Sequence, residues 1–211
     1  MPIVAIDGPA GAGKSTIGKV LATRLGLEYL DTGAMYRAVT SAALHAGLDL
    51  DDTEAVAALA RACELEVGTT GVHVDGRDVT TEIRGPVVTS NVSKVAANSG
   101  VRAEMRARQR AWAEERGGGV IEGRDIGTVV FPDAELKLFL TASPRVRAER
   151  RVAQSGGDVD EIERSIAERD RLDSSRADSP LAEAGDARLV DTTGLGIDEV
   201  VTTLLELLEN R

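Results

Sequence analysis

Eight residues near the start of the chain, Gly8-Pro9-Ala10-Gly11-Ala12-Gly13-Lys14-Ser15, constrain the fold more than any other stretch. They fit the pattern G-x-x-x-x-G-K-[ST], and their flanks suit it. Ile3 to Ile6 is a short apolar run of the kind a buried strand presents. From Thr16 to Leu25 the residues Ile17, Val20, Leu21 and Leu25 recur at helical spacing. Strand, glycine loop and helix start together form a phosphate site. Glycines let successive main-chain N–H groups curl around an anion where a Cβ would obstruct the turn. The helix N-terminus adds unpaired donors and partial positive charge. In such a P-loop Gly8, Pro9, Ala10, Gly11, Ala12, Gly13, Lys14, Ser15 and Thr16 surround the phosphates of a nucleoside triphosphate. Lys14 reaches the β- and γ-phosphates, and the Ser15 hydroxyl is placed to ligate Mg2+. The competing reading is a glycine-rich turn with no ligand.

The rest of the chain supplies a fold for that loop. Short apolar runs at residues 3–6, 27–30, 120–122, 136–140 and 188–190 alternate with helical stretches. This predicts an α/β domain, a doubly wound five-stranded parallel sheet flanked by helices. Between Glu64 and Thr81 the texture changes: Leu65, Val67, Val72, Val74 and Val79 alternate with polar residues, and Asp75-Gly76 is a hairpin signal. A helix from Pro86 to Asn98 follows. Residues 64–100 therefore read as an inserted subdomain with a small antiparallel sheet, and residues 1–63 and 101–211 as the core. The insertion fits either a decorative hairpin or a flap over a substrate.

A net charge of −10 argues against a general nucleic-acid binder, whose affinity rests on a basic surface. No apolar run is long enough for a membrane span. The N-terminus enters the first strand directly, so no signal or transit peptide is expected. Cys63 is the single cysteine, which excludes an internal disulfide and suits a reducing cytoplasm. A monomer is expected, since no long heptad or exposed apolar stripe is present. Against the acidic background, arginines are grouped. Arg147, Arg150 and Arg151 share one helix ahead of Gly156-Gly157, the pattern of a short lid over residues 145–165 or of a solvated helix face. Arg169, Asp173 and Arg176 share another face, as ligands or as helical ion pairs. Arg124-Asp125 follows a strand end, where doubly wound sheets bind ligands.

Three classes of P-loop protein compete. A GTPase switch needs N-K-x-D, and no Asn is followed by Lys; Asp191-Thr192-Thr193-Gly194 imitates D-x-x-G but lies too late in the chain. A motor component calls for a larger chain and a partner surface. A small-molecule kinase fits best, because phosphoryl transfer needs two anions held in line by cations from several directions.

Four segments carry a resemblance: Ala5-Ile6-Asp7-Gly8-Pro9 into the loop; Leu30-Asp31-Thr32-Gly33-Ala34-Met35-Tyr36-Arg37; Glu122-Gly123-Arg124-Asp125-Ile126-Gly127-Thr128 through Ala134; and Glu168-Arg169-Asp170 through Asp173 and Arg176 to Pro180-Leu181. Together they resemble the bacterial cytidylate kinases nearly end to end. The resemblance implies a core, an NMP-binding insertion and a short lid, with ATP, Mg2+ and CMP or dCMP as ligands. It implies Arg37 and Arg124 on the CMP phosphate. Ser93, Arg102, Asp125 and Arg176 would surround cytosine, with Thr32 and Tyr36 near the nucleotide. Arg169 and Asp173 would contact the sugar, and Arg147 and Arg150 would act on ATP beside Lys14. Kinases of another monophosphate or of a shikimate-like hydroxy acid, or a nucleotide-binding switch, are the alternatives.

Overall fold

The structure is a computed structural model that describes residues 1–68 and 70–209, with side chains to residue 206. The elements in chain order are β1 (Ile3–Asp7), α1 (Lys14–Leu25), β2 (Tyr29–Asp31), α2 (Thr32–His45), α3 (Thr53–Ala62), β3 (Leu65–Val67), β4 (Val72–Val74), β5 (Arg77–Asp78), α4 (Pro86–Ala97), α5 (Ser99–Arg116), β6 (Gly119–Glu122), β7 (Leu136–Thr141), α6 (Pro144–Ser155), α7 (Val159–Ser175), β8 (Arg188–Asp191) and α8 (Ile197–Glu209). A single 3-10 turn spans Glu82–Arg84 and a π-helical turn spans Ile126–Val130.

The expected five-stranded parallel sheet is present, in the order β2-β6-β1-β7-β8. The P-loop strand β1 is central, with Ile6 in register with Glu122 on one side and Leu138 on the other. Strands buried on both faces favour apolar residues, which is why β1 and β6 read as apolar runs up to the acid that closes each, Asp7 and Glu122. Ile6, Leu21, Leu138, Leu140 and Leu204 are at or near complete burial and knit β1, β7, α1 and α8 into one core. Each such side chain contributes on the order of 1.5–3 kcal/mol of transfer free energy. Ile197, Val200, Val201, Leu204, Leu205 and Leu208 recur at the helical spacing that predicts an amphipathic closing helix, and of these Leu208 lies outside the described side chains.

The chain divides into two compact units, residues 1–29 with 116–211, and residues 30–115. The second contains the antiparallel sheet β3-β4-β5. Asp75 and Gly76 both have positive φ, 51° and 75°, as the two central residues of a type I′ turn require. Val79 is buried as its place in the alternation suggests, but it lies one residue past β5.

One element limit differs from the sequence reading for an identifiable reason. β2 begins at Tyr29 rather than Leu27, because the N–H of Leu27 is taken by the Ala22 carbonyl at 2.9 Å in the glycine cap that ends α1. The stretch after Arg124-Asp125, to which the sequence assigns no element, is wound: the Phe131 N–H reaches back five residues to the Ile126 carbonyl at 2.7 Å.

Candidate active site

The P-loop is shaped by what passes behind it. Gly8 has φ of 142°, and a Cβ there would sit 2.0 Å from the Leu140 carbonyl oxygen of β7, so no other residue fits. Gly11 has φ of 78° and lies against α6, where a Cβ would come within 3.0 Å of the Arg147 Cβ. Lys14 begins α1 and folds back: its Nζ donates to the carbonyls of Gly8 at 2.9 Å and Pro9 at 2.8 Å. Burial and then the Arg124 charge push its pKa down to about 7, with Glu122 opposing and Arg169 reinforcing. A polyphosphate brought to this loop supplies the counter-charge that restores the ammonium.

Ser15 Oγ donates to Glu122 Oε1 at 2.7 Å. Glu122 ends β6, the strand beside β1, and is buried. A hydroxyl and a carboxylate joined in this way beside a phosphate loop suit Mg2+. That ion takes few protein ligands and fills its octahedron with phosphate oxygens and water. The sequence reading included Ser15 and passed over Glu122, although an acid closing an otherwise apolar strand is a legible signal.

Asp7, at the carboxyl end of β1, is a second group left out of that reading. Its carboxylate accepts the N–H of Ile126 at 2.9 Å and of Gly127 at 2.7 Å. It thereby anchors the start of the π-helical turn and fixes the backbone next to Arg124 and Asp125. Burial raises its pKa to about 6 against the lowering pull of those two amides, and the nearby Asp125 adds to the rise.

Arg124 Nε donates to Asp173 Oδ2 at 2.9 Å, and its NH1 donates to the Gly8 carbonyl at 3.0 Å. Arg169 and Arg176 each stand 3.9 Å from the same carboxylate. Burial pushes Asp173 up, but Arg124, Arg169 and Arg176 together draw it below the ordinary aspartate value. Three arginines thus converge on one carboxylate near the carboxyl ends of β1 and β6, a grouping of cations suited to an anion. Arg176 also donates to the Ser179 carbonyl at 2.7 Å, and Asp125, which follows Arg124 in the chain, is buried.

Arg147 and Arg150 lie inward on α6. Arg147 donates from Nε to the Ala142 carbonyl and from NH1 to the Ala10 carbonyl, both at 3.0 Å, and pairs with Asp170. Arg150 donates to Thr192 Oγ1 at 2.9 Å and to the Thr192 carbonyl at 2.8 Å. The Thr192 hydroxyl lies 3.2 Å from the carbonyl of Ala12 in the P-loop. The turn Asp191-Thr192-Thr193-Gly194, set aside as a strand end, is thus one of the supports of the loop. Arg145, on the exposed side of α6, pairs with Asp160 and with Glu163 of α7.

The unit of residues 30–115 holds a second group of the expected site residues. Thr32 opens α2, where Asp31 caps the helix by accepting the Ala34 N–H at 3.0 Å. Tyr36 is buried, with the Arg102 guanidinium 5.5 Å from its ring centroid. Arg102 is 1% exposed and donates to the Ala96 carbonyl at 3.1 Å. Arg37 donates from one nitrogen to the Ile83 carbonyl and Thr89 Oγ1, both at 2.9 Å. Ser93 lies on α4, partly buried. No cluster of three metal-ligating side chains occurs among the described residues, and no described helix is long and apolar enough to cross a membrane.

Comparison with known proteins follows the same direction. The family profile described as Cytidylate kinase matches residues 4–210. The chain is 51% identical to a cytidylate kinase of Corynebacterium efficiens, over 98% of this chain and 94% of that one. It is 50% identical to a cytidylate kinase of Shouchella clausii, over 98% and 95%. Among solved structures, a shikimate kinase from Bacteroides thetaiotaomicron superposes with a TM-score of 0.51 at 17% identity, over 99% of this chain and 98% of that one, a likeness of fold.

Proposed function

The chain belongs to the cytidylate kinase family, and from that premise we propose that it transfers the γ-phosphate of ATP to CMP or dCMP, giving ADP and CDP or dCDP. The observation that supports this most directly is the neighbourhood of two phosphate sites. The P-loop with Lys14 faces triphosphate, and the Arg124–Asp173 cluster is tied to the same loop through the Gly8 carbonyl. An in-line transfer needs donor and acceptor phosphates at adjoining cationic sites.

On this reading residues 8–16 cradle the ATP phosphates, and Lys14, Arg147 and Arg150 neutralise charge on the transferred group. Ser15, with Glu122 behind it, holds Mg2+, which when bound neutralises the β- and γ-phosphate oxygens. Arg124 takes the CMP phosphate, and Arg169 and Asp173 the sugar. Asp125 and Arg176 read the base. In the other unit Arg37 serves the CMP phosphate, Thr32 and Tyr36 the nucleotide, and Ser93 and Arg102 the cytosine. Residues 64–100 form the NMP-binding insertion and 145–165 the lid. The protein acts in the cytoplasm as a monomer, with no nucleic-acid or membrane partner.

A coupled assay with ATP and a panel of acceptors tests the reading. CMP and dCMP are the expected best acceptors. Faster phosphorylation of AMP, GMP or shikimate overturns it in favour of another small-molecule kinase.

A further inference from the structure

Ala10 of the P-loop is held from three sides by α6 and α7. Its N–H donates to Asp170 Oδ1 at 3.2 Å. Its carbonyl accepts from Arg147 NH1 at 3.0 Å. Its methyl packs in a small apolar cluster with Ala148 of α6 and Ile166 of α7. Arg147 and Asp170 are themselves an ion pair, so the peptide groups flanking Ala10 and the pair form one closed circuit. Asp170 stands three residues before Asp173 on the same face of α7. Asp173 meets Arg124, which holds the Gly8 carbonyl; Asp170 meets Arg147, which holds the Ala10 carbonyl. The first arm of the loop is thus braced twice from one helix, each time through an arginine and a carboxylate.

We propose that Asp170 is a positioning residue for the ATP side of the reaction, fixing the Ala10 segment of the P-loop and the guanidinium of Arg147 from α7. Preorganised donors stabilise a transferring phosphoryl group only if they do not have to be reoriented at the moment of reaction. Arg147 bonds two carbonyls, of Ala142 and Ala10, and the carboxylate fixes the guanidinium between them. With that carboxylate uncharged, the guanidinium keeps its neutral partners Ala10 and Ala142 but loses its counter-charge. It is then free to turn, and the loop carbonyl it holds turns with it. The effect falls on ATP, because Asp170 contacts residues 10 and 147 and the CMP-side cluster is held separately by Asp173.

Asp170→Asn is the informative substitution, since the amide oxygen still accepts the Ala10 N–H while the negative charge that faces Arg147 is removed. Calorimetric titration with the Mg2+ complex of a non-hydrolysable ATP analogue should show affinity weakened about tenfold, the scale of one charge-assisted hydrogen bond. CMP affinity should change less than twofold and the Tm by a few degrees at most. Asp170→Ala should weaken the analogue further. In an Arg147→Met background, Asp170→Asn should cost less than twofold, because the group it orients is gone. An unchanged analogue affinity in Asp170→Asn overturns the proposal, and so does an equal loss for CMP and the analogue. The inference rests on the loop binding ATP. If the wild type binds the analogue yet fails to phosphorylate CMP, the acceptor assignment falls while the Asp170 measurement still stands.

Discussion

Arg124 and Asp173 are joined at 2.9 Å, and the same guanidinium reaches the P-loop at Gly8, so one side chain links the turn after β6, helix α7 and the nucleotide loop. Asp173 is buried and Arg124 partly so, and Asp173 is the shared counter-charge of three arginines. Removing its charge takes one shared counter-charge from all three. Asp173→Asn should therefore destabilise the protein by about 3–5 kcal/mol at pH 7. The sign with pH follows from the depressed pKa of Asp173. Its contribution is fully present above the ordinary aspartate value of 3.8 and is lost as pH falls through the lower folded value. Urea unfolding of both proteins checks this: the difference in unfolding free energy should hold from pH 8 to pH 5 and shrink as the pH is taken below the ordinary aspartate value of 3.8. A gap of the same size at every pH would mean that shape, not charge, is what the substitution removes.

Lys14 makes a second pH prediction. Its pKa is depressed to about 7, so at pH 8.5 the folded protein carries it largely neutral. It favours the folded state above about 10.5 and loses that contribution as pH falls through about 7. Triphosphate in the loop returns the ammonium to its charged form. Binding of the Mg2+–ATP analogue at pH 8.5 should then take up close to one proton, read from binding heats in buffers of different ionisation enthalpy. Lys14→Ala should lose the uptake, and its turnover should fall by orders of magnitude while CMP binding persists. Zero uptake in the wild type would show that Lys14 is already charged.

The Ser15–Glu122 contact predicts a graded metal requirement. Glu122→Gln keeps the hydrogen bond and removes the charge that favours a divalent cation. The Mg2+ concentration for half-maximal activity should rise about tenfold, with maximal turnover recovered at high Mg2+. Ser15→Ala should lose turnover that added Mg2+ does not restore. If Mg2+ titrations of wild type and Glu122→Gln superimpose, Glu122 only orients the serine.

The parts legible in the sequence were those with a repeating physical cause. Burial on both faces of a parallel sheet writes continuous apolar runs, so β1, β6 and β7 could be placed. The φ-positive turn at Asp75-Gly76 needed its residue types. The P-loop pattern identified itself because no other residue tolerates the approach of β7 to Gly8. What stayed hidden was set by pairing across long sequence distances. Asp7 and Gly127 are 120 residues apart, and Ala10 and Asp170 are 160 apart. Nothing local distinguishes Asp170 from its neighbour Glu168, which merely pairs with Arg171 on the surface. Arg147 and Arg150 illustrate the same limit. Helical spacing places them on one face, but only the fold shows that this face is turned toward the P-loop and the Thr192 turn.

The last prediction concerns base choice and follows from a hydrogen-bond inventory. Cytosine presents a donor at its exocyclic N4 amine and an acceptor at N3; uracil presents an acceptor at O4 and a donor at N3. An ionised aspartate only accepts and an arginine only donates. Asp125 is buried, and its backbone is fixed by the turn that Asp7 anchors, with the N–H of Val129 on the Asp125 carbonyl at 2.9 Å. A carboxylate held there at the N4 amine, with Arg176 on the acceptor side, matches cytosine and sets like against like for uracil. Rejection comes from the repulsive element as much as from the fit. A site built to bond a donor can discriminate by roughly 10⁴-fold. Asp125→Ala should lose much of its activity with CMP and lose less, or gain a little, with UMP. The CMP/UMP ratio of kcat/KM should fall by at least about tenfold, on the scale of one charged hydrogen bond. Asp7→Asn is the matched control. It disturbs the turn by giving one of two N–H groups a donor to face, so both acceptors should suffer together while the ratio stays within about threefold of wild type. Should Asp125→Ala behave like that control, with both activities falling and the ratio unchanged, Asp125 shapes the turn and the base is read elsewhere.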